Sequence, residues 1–286
     1  MFKTLISSPQ LKALLGQPDV LIVDCRHDLM KASFGSDAYA QSRIPGAIFI
    51  DVEKQLAGKH TGQNGRHPLP EREAFRAFAA NQGVGASTQV VVYDSQSGQS
   101  AGRLWWMLRW IGHEAVAVLD GGWAGWSAAG YPIETGTPSR SAPQPIAAAE
   151  SVDLTPTVDV KDVIENLDSH VYTLIDARAG ARYRGETEPL DPVAGHIPGA
   201  LNRPFQENLQ ADGLFKPASV LKQEFSTLLG SVDPERVVHQ CGSGISACHN
   251  LLAMEHAGLP GSRLYPGSWS EWCADPARPV AIGTGT

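Results

Sequence analysis

The order of apolar and polar residues along the chain predicts two successive runs of alternating strands and helices. Short runs rich in β-branched residues alternate with segments of helical period in the first half, and the second half repeats this order. Alternation of this kind, with nearly continuous apolar strands, is typical of a parallel sheet covered by helices on both faces. The predicted strands are 20–24, 47–50, 90–94, 116–119, 173–176, 200–202, 237–240 and 263–265, and the predicted helices are 71–81, 101–111, 219–229 and 246–257.

The two halves match each other residue by residue at several places. The run Val91–Ser95 lines up with Val237–Cys241 at an offset of 146 residues, and the same offset carries Gly122-Trp123 onto Ser268-Trp269. Repeats of this length indicate duplicated domains rather than a solenoid. The sequence therefore predicts an α/β protein of two tandem domains, residues 1–134 and 152–286, joined by a linker rich in Pro, Ser, Thr and Ala over residues 135–151.

Composition and charge narrow the class of function. No apolar run in the 286 residues approaches the ~18 needed to span a bilayer, and the N-terminus lacks the features of a secretory signal. The four cysteines are widely spaced, with neither a CxxC pair nor metal-ligand spacing, which favours reduced thiols in the cytoplasm. The formal net charge of −7 argues against nucleic acid as a partner. We expect a cytoplasmic protein that binds neither nucleic acid nor membranes.

Cys241 is the strongest candidate for chemistry. It follows a predicted buried strand and begins the loop Cys241-Gly242-Ser243-Gly244-Ile245-Ser246, which leads into a predicted helix. Backbone N–H groups of such a loop can converge on the sulfur, and a helix N-terminus adds positive potential, so the setting suits a sulfur anion. The first half has Ser95 at the matching position, and we therefore expect only the second domain to carry a nucleophile.

These features together resemble the two-domain rhodanese sulfurtransferases. The resemblance rests on the tandem repeat, on the Ile-Pro-Gly-Ala blocks at 44–47 and 197–200, and on the Cys241 loop. Within that superfamily the loop is most similar to the Cys-Gly-Ser/Thr-Gly-Val-Thr pattern of 3-mercaptopyruvate sulfurtransferases. Thiosulfate sulfurtransferases usually carry Cys-Arg-Lys-Gly-Val-Thr, which places two cations in the loop. The resemblance implies tandem rhodanese-like domains, the first non-catalytic, and no metal or organic cofactor.

The resemblance also implies a reaction. Cys241 would take the outer sulfur of 3-mercaptopyruvate, become a persulfide, and pass that sulfur to cyanide or a thiol, including a protein thiol. The backbone amides that would hold the persulfide anion are those of Gly242, Ser243, Gly244, Ile245, Ser246 and Ala247.

Further site residues follow from the same resemblance. Ser243 matches a loop serine that works with a histidine and an acid of the first domain, and the matching positions here are His67 and Glu53. The family usually has aspartate for the acid, and Asp51 lies two residues before Glu53, so either carboxylate could orient His67.

Arginines are expected to bind the donor carboxylate. Arg182 matches the first of two substrate arginines in the mercaptopyruvate enzymes, and a guanidinium can grip a carboxylate with two hydrogen bonds. The second position falls on Leu190, which cannot bind an anion, and Arg184 stays unassigned. This departure leaves the preferred donor open.

Three other functions are alternatives to a mercaptopyruvate sulfurtransferase. A phosphatase of similar architecture needs an arginine six residues after the cysteine, where this chain has Ala247. A thiosulfate enzyme is disfavoured by the neutral Gly242-Ser243 pair, although Leu190 argues mildly for it. A protein sulfur relay with little turnover of small donors is compatible with an intact Cys241 loop.

Overall fold

The computed structural model describes residues 1–95, 97–137 and 154–284. Most of the predicted linker, residues 138–151, lies outside this described part. The chain divides into two compact units, the first formed by Met1–Ala57, Pro70–Leu154 and Ala211–Phe215, and the second by Gly58–Leu69, Thr155–Gln210 and Lys216–Thr286.

Nine strands and eleven α-helices occur in the described residues. The strands are β1 Leu5–Ile6, β2 Val20–Asp24, β3 Ile48–Phe49, β4 Gln89–Tyr93, β5 Val116–Leu119, β6 Thr173–Asp176, β7 Leu201–Asn202, β8 Val237–Gln240 and β9 Arg263–Leu264. The helices are α1 Ser8–Leu14, α2 Phe34–Gln41, α3 Val52–Gln55, α4 Arg72–Asn81, α5 Gln99–Trp110, α6 Gly122–Ala128, α7 Val160–Ser169, α8 Gly180–Tyr183, α9 Ala218–Leu229, α10 Ala247–His256 and α11 Ser268–Trp272, with 3₁₀ turns at Phe205–Asn208 and Pro234–Arg236. None of these helices is long and apolar enough to cross a membrane.

The first unit contains a five-stranded sheet in the order β1-β5-β4-β2-β3, and all of its strand pairs are parallel. Every residue of β2 and β4 is buried, as expected for central strands covered on both faces. The carboxyl ends of parallel strands meet at one edge, so the loops that follow β2 and β4 emerge together.

The second unit repeats this arrangement with four parallel strands in the order β7-β6-β8-β9. This order corresponds to β3-β2-β4-β5 of the first unit, which adds β1 at its edge. The predicted duplication and the predicted α/β class are both confirmed. Strand β8 is buried along its whole length and ends at Gln240, so Cys241 stands at the carboxyl edge of the sheet.

A buried ion pair recurs at the same place in both units. The Asp24 carboxylate lies 2.6 Å from the Arg26 guanidinium, and Asp176 lies 2.6 Å from Arg178. Each arginine packs over the indole of a tryptophan in its own unit, at 4.5 and 4.8 Å from the ring centroid. The pairs join a strand end to the helical layer, which is a structural role.

The segment Gly58–Leu69 belongs to the second unit, although it comes from the first half of the chain. Its backbone runs against the start of α11. The Arg66 N–H donates a hydrogen bond of 3.0 Å to Ser270 Oγ, and a Cβ at Gly65 would stand 2.6 Å from the Gly267 carbonyl oxygen. This close backbone approach fixes the position of residues 66 and 67 in the second unit.

Candidate active site

Cys241 is held from below by a serine in an unusual backbone conformation. The Cys241 N–H donates to Ser268 Oγ at 3.1 Å, and the Ser268 hydroxyl donates to the Tyr265 carbonyl at 2.9 Å. Ser268 has a φ of 54°, in the left-handed region that non-glycine residues rarely adopt, and its counterpart Gly122 has a φ of 52°. The second unit thus accepts backbone strain that places a hydroxyl beneath the cysteine.

The loop after Cys241 presents backbone donors to the sulfur. The Gly244 N–H donates to Cys241 Sγ at 3.1 Å. No described residue accepts a hydrogen bond from the N–H groups of Ile245, Ser246 or Ala247, and α10 begins at Ala247 without a side-chain cap. Free amides at a helix N-terminus carry partial positive charge, so this loop is suited to a sulfur anion.

The matching loop of the first unit contains its own anion. The Asp94 carboxylate accepts hydrogen bonds from the N–H groups of Gly98 at 2.9 Å, Ser100 at 2.7 Å and Ala101 at 2.9 Å. These three amides correspond to those of residues 244, 246 and 247. The first unit therefore lacks a thiol at Ser95, and its amides are already used by a carboxylate.

Gln240 occupies the place of Asp94 in the second unit. Its side chain is fully buried, and neither Nε2 nor Oε1 has a hydrogen-bond partner among the described residues. Gln240 is neutral and does not cap the loop, so the amides after Cys241 stay available to an anion.

His67 and Ser243 are brought into direct contact. His67 Nδ1 lies 2.7 Å from Ser243 Oγ, and both side chains are buried. This is a hydrogen bond across 176 residues of sequence. A buried imidazole bonded to a hydroxyl beside the cysteine can relay a proton.

Glu53 and Asp51, the two predicted acids, lie in and just before α3 of the first unit. The Asp51 carboxylate accepts from the N–H groups of Glu53 and Lys54 at 3.0 and 3.3 Å, as the N-cap of the helix. The Glu53 carboxylate lies 3.5 Å from His27 Nε2. Asp51 caps the helix and Glu53 is paired with His27, and which of the two carboxylates would orient His67 stays a prediction.

Arg182 lies at the end of α8 and is paired with acids of its own unit. Its Nη2 lies 2.7 Å from Glu188 and 3.3 Å from Asp191. Burial acts to raise the pKa of Glu188, but hydrogen bonds from Arg182 and from backbone amides outweigh it and hold that pKa below its usual range. Arg182 Nη1 makes no hydrogen bond to a described residue, and this nitrogen stays open to a ligand.

Arg66 is a site residue that the sequence analysis missed. Its Nη1 is paired with the Asp191 carboxylate, and its Nε is buried with no partner among the described residues. A Cβ built on Gly242 would stand 2.9 Å from Arg66 Nη2 and 3.5 Å from both terminal nitrogens of Arg182. The loop was predicted to be neutral, yet two guanidinium groups reach it from elsewhere in the unit. The available signal was a cation directly beside His67.

Leu190, Arg184 and His196 take no part in this cluster. Leu190 is 37% exposed, and Arg184 pairs with Glu186 at the surface, 2.6 Å apart. His196 is buried, with Nδ1 2.8 Å from the Tyr183 carbonyl oxygen, which is a structural contact.

The remaining cysteines are unsuited to act as nucleophiles. Burial raises the pKa of Cys25 well above its usual value, and it raises the pKa of Cys273 to about 11. Cys248 is buried and donates to the Gly244 carbonyl at 3.3 Å. Thiols that stay protonated at neutral pH are poor nucleophiles.

Comparison with known proteins matches both units to one family. A model of the rhodanese-like domain matches residues 7–129 and 159–275. A probable 3-mercaptopyruvate sulfurtransferase of Pseudomonas aeruginosa is 44% identical over 98% of either chain. A putative thiosulfate sulfurtransferase of Mycobacterium tuberculosis is 37% identical over 99% of this chain and 98% of its own. Among solved structures, SseA of Escherichia coli, described as a 3-mercaptopyruvate sulfotransferase, superposes with a TM-score of 0.78 at 32% identity, covering 94% of this chain and 99% of its own.

Proposed function

Because this chain belongs to the rhodanese family, with one domain of the family in each half, we propose that it is a sulfurtransferase that moves a sulfane sulfur from 3-mercaptopyruvate through a persulfide on Cys241 to a thiophilic acceptor. The predicted membership in this family is confirmed. The choice of 3-mercaptopyruvate rests on the site and on the names of several relatives, one of them 38% identical from Homo sapiens.

The reaction proceeds in two displacement steps. The Cys241 thiolate attacks the donor sulfur, an S–S bond forms, the carbon–sulfur bond of the donor breaks, and its electron pair leaves with pyruvate enolate. The acceptor then attacks the outer sulfur of the persulfide, and the electron pair of the S–S bond returns to Cys241. No oxidant is consumed, and the enzyme alternates between two covalent states, so ping-pong kinetics are expected.

The observation that carries this proposal is the set of donors around Cys241. One loop amide already bonds Sγ, and the amides of Ile245, Ser246 and Ala247 have no acceptor among the described residues. Donors held in place before the reaction stabilise charge without reorganisation, which is an effective source of catalysis. Both the thiolate and the persulfide anion would benefit.

His67 and Ser243 supply a proton route for the first step. The enolate that leaves must gain a proton to become pyruvate, and Ser243 is the loop hydroxyl bonded to an imidazole. In this proposal His67 delivers the proton through Ser243, and Glu53 orients His67.

The thiosulfate alternative is supported by the name of the Mycobacterium tuberculosis relative. Thiosulfate is a dianion without a carbonyl group, so its reaction releases sulfite and needs no proton for an enolate. The His67–Ser243 pair favours the mercaptopyruvate donor for that reason.

The test compares kcat/KM for 3-mercaptopyruvate and for thiosulfate, with cyanide as acceptor, in wild type, Cys241→Ser and Cys273→Ser. We expect a preference for mercaptopyruvate that Cys241→Ser abolishes and Cys273→Ser preserves, because Cys273 is a buried thiol outside the loop. A preference for thiosulfate would transfer the proposal to that donor. Turnover that survives in Cys241→Ser would end the mechanism.

A protein thiol is a second class of acceptor. We also propose a cytoplasmic location and a role in sulfur relay to proteins. Kinetics with small molecules test neither of these proposals. In the test, Cys241 is loaded with one equivalent of donor and reduced thioredoxin is then added. Mass spectrometry of the Cys241 peptide shows whether the outer sulfur has left to the protein thiol. Retention of the persulfide under these conditions would count against a relay.

A further inference from the structure

Two guanidinium groups, those of Arg66 and Arg182, lie close to Gly242, the residue after Cys241. Arg66 Nη2 lies 2.9 Å, and the terminal nitrogens of Arg182 lie 3.5 Å, from the position of a Cβ on Gly242. Only a glycine at this position leaves both groups where they are, since a methyl group would force Arg66 to shift. The absent side chain at Gly242 is therefore the feature that admits two cations to the side of the nucleophile.

Both arginines are braced by the same buried carboxylate. Asp191 is paired with Arg66 and with Arg182, and its side chain is only 3% exposed. Glu188, equally buried, holds Arg182 from a second direction. Long, flexible side chains lose conformational freedom when they bind a ligand, and an arginine already fixed by ion pairs loses less.

Donor groups remain on these arginines after the internal ion pairs are made. Arg182 Nη1 and Arg66 Nη2 donate to no described residue, and Arg66 Nε is buried without an acceptor among them. A buried guanidinium N–H without an acceptor is unfavourable unless a ligand supplies one. Of these unused donors, Arg66 Nη2 and Arg182 Nη1 lie beside Gly242, one residue from the nucleophile.

We propose that Arg66 and Arg182 together bind the carboxylate of the sulfur donor beside Cys241, Arg66 taking the place that Leu190 cannot fill. This deepens the proposed function and rests on it. Two guanidiniums suit a planar carboxylate, which has two oxygens to receive them. A carboxylate held here fixes the donor by one end, and the sulfur, three bonds from the carboxylate carbon, is directed to Cys241.

The inference predicts that Cys241 prefers an anionic reagent over a neutral one of the same shape. Iodoacetate and iodoacetamide both alkylate a thiolate with loss of iodide, but only iodoacetate carries a carboxylate. The ratio of their rates at Cys241, followed by mass spectrometry of the Cys241 peptide, reports the arginine pair without any sulfur donor. This measurement therefore stands apart from the proposed function.

The variants are Arg66→Gln, Arg66→Lys and, as a matched control, Arg184→Gln, which removes a surface guanidinium paired with Glu186. We expect the iodoacetate-to-iodoacetamide ratio to fall about tenfold in Arg66→Gln, less in Arg66→Lys, which keeps the charge but loses the fork, and not at all in Arg184→Gln. An iodoacetamide rate equal to that of wild type would show that the Cys241 loop is intact in the Arg66 variants.

Steady-state kinetics supply the second arm. Arg66→Gln should raise KM for 3-mercaptopyruvate and the inhibition constant of pyruvate by a similar factor, about tenfold, because both carry the carboxylate. An unchanged alkylation ratio in Arg66→Gln would overturn the inference even if wild type turns over mercaptopyruvate. A reduced ratio in a protein that does not use mercaptopyruvate would support the arginine site and refute the donor.

Discussion

His67 Nδ1 stands 2.7 Å from Ser243 Oγ, although 176 residues separate them in sequence. The contact exists because the segment Gly58–Leu69 packs within the second unit. A histidine from the first half of the chain thereby contacts the loop that carries Cys241.

If the two residues form one proton route, as we propose, His67→Ala and Ser243→Ala should each lower kcat for mercaptopyruvate by about 10²-fold. The double variant should be no worse than either single one, since groups that act as a unit are not additive. KM should change little. The measurement is a double-mutant cycle on kcat, and additive losses would contradict the shared route.

Glu53 provides a related test of the predicted acid. Glu53→Gln should lower kcat in the same reaction if its carboxylate orients His67, whereas Asp51→Asn should act mainly on stability because Asp51 caps α3. The pair is measured by kcat together with thermal unfolding. Loss of kcat in Asp51→Asn with an unchanged melting temperature would reverse the assignment.

Gly65 should tolerate no side chain, because its position against Gly267 is what carries residues 66 and 67. A Cβ there would meet the Gly267 carbonyl oxygen at 2.6 Å, and backbone cannot move aside as a side chain does. Gly65→Ala should lower the free energy of unfolding by about 2 kcal/mol more than Gly62→Ala, and should also lower kcat.

Gly62 is the matched control for that change. It has a φ of +88°, similar to the +81° of Gly65, but nothing lies within 4 Å of its Cβ position. Both alanines suffer the same left-handed strain, so the difference in urea unfolding isolates the contact with Gly267. Equal destabilisation of the two variants would show that this contact is unimportant.

A substitution at Gln240 can test whether the loop amides must be available to the sulfur. Gln240→Asp would place a carboxylate at the position that matches Asp94, whose carboxylate binds three loop amides of the first unit. We expect kcat/KM to fall by ~10²-fold or more, while Gln240→Asn, of the same size and neutral, loses much less. Equal losses in the two variants would point to packing rather than to charge.

His239 makes the stability of the second unit dependent on pH. Burial, assisted by Arg203, lowers its pKa from 6.5 to about 3, so the imidazole is neutral in the folded protein. The unfolded chain binds a proton at this histidine more tightly than the folded protein does. The free energy of unfolding is therefore highest above pH 6.5 and decreases as the pH falls from 6.5 towards 3.

The corresponding variant is His239→Leu. Relative to wild type, its free energy of unfolding should fall less between pH 7 and pH 4.5, by about 3 kcal/mol. Urea unfolding at the two pH values measures this, with His60→Gln, an exposed histidine, as control. An equal pH dependence in the variant and in wild type would contradict the lowered pKa of His239 in the folded protein.

Much of the fold could be predicted because its signals are local. Strands β2, β5, β6 and β8 have the predicted bounds, since each is a short β-branched run between turn residues. Helices α1 and α7 were not predicted, although both begin with a capping box, at Ser7 and Asp159. The capping residues marked where these helices begin, but the amphipathic patterns that follow are too short to predict a helix.

The candidate site likewise has parts with local signals in the sequence and parts that depend on long-range contacts. Cys241 and its loop could be identified from neighbouring residues alone. The ion pair of Arg66 with Asp191 joins residues 125 apart, and its proximity to Gly242 follows from backbone packing at Gly65, which no pattern along the chain encodes. Arg66 was therefore missed, although Arg182 was predicted, and the loop was interpreted as neutral.

Because Asp94 binds the loop amides of the first unit, that loop can serve as an internal reference for the Cys241 loop. The Asp94 loop carries an anion tethered to the chain, so it keeps one state whatever sulfur compound is present. The Cys241 loop has no such carboxylate, since Gln240 stands in the place of Asp94 and its side chain makes no hydrogen bond to a described residue. If a charged sulfur binds the amides of the Cys241 loop, we expect the stability of that loop to change during turnover, because an anion that binds only the folded state stabilises it. Hydrogen exchange at residues 244–247 would follow the sulfur load of the enzyme, with residues 98–101 as the constant internal standard.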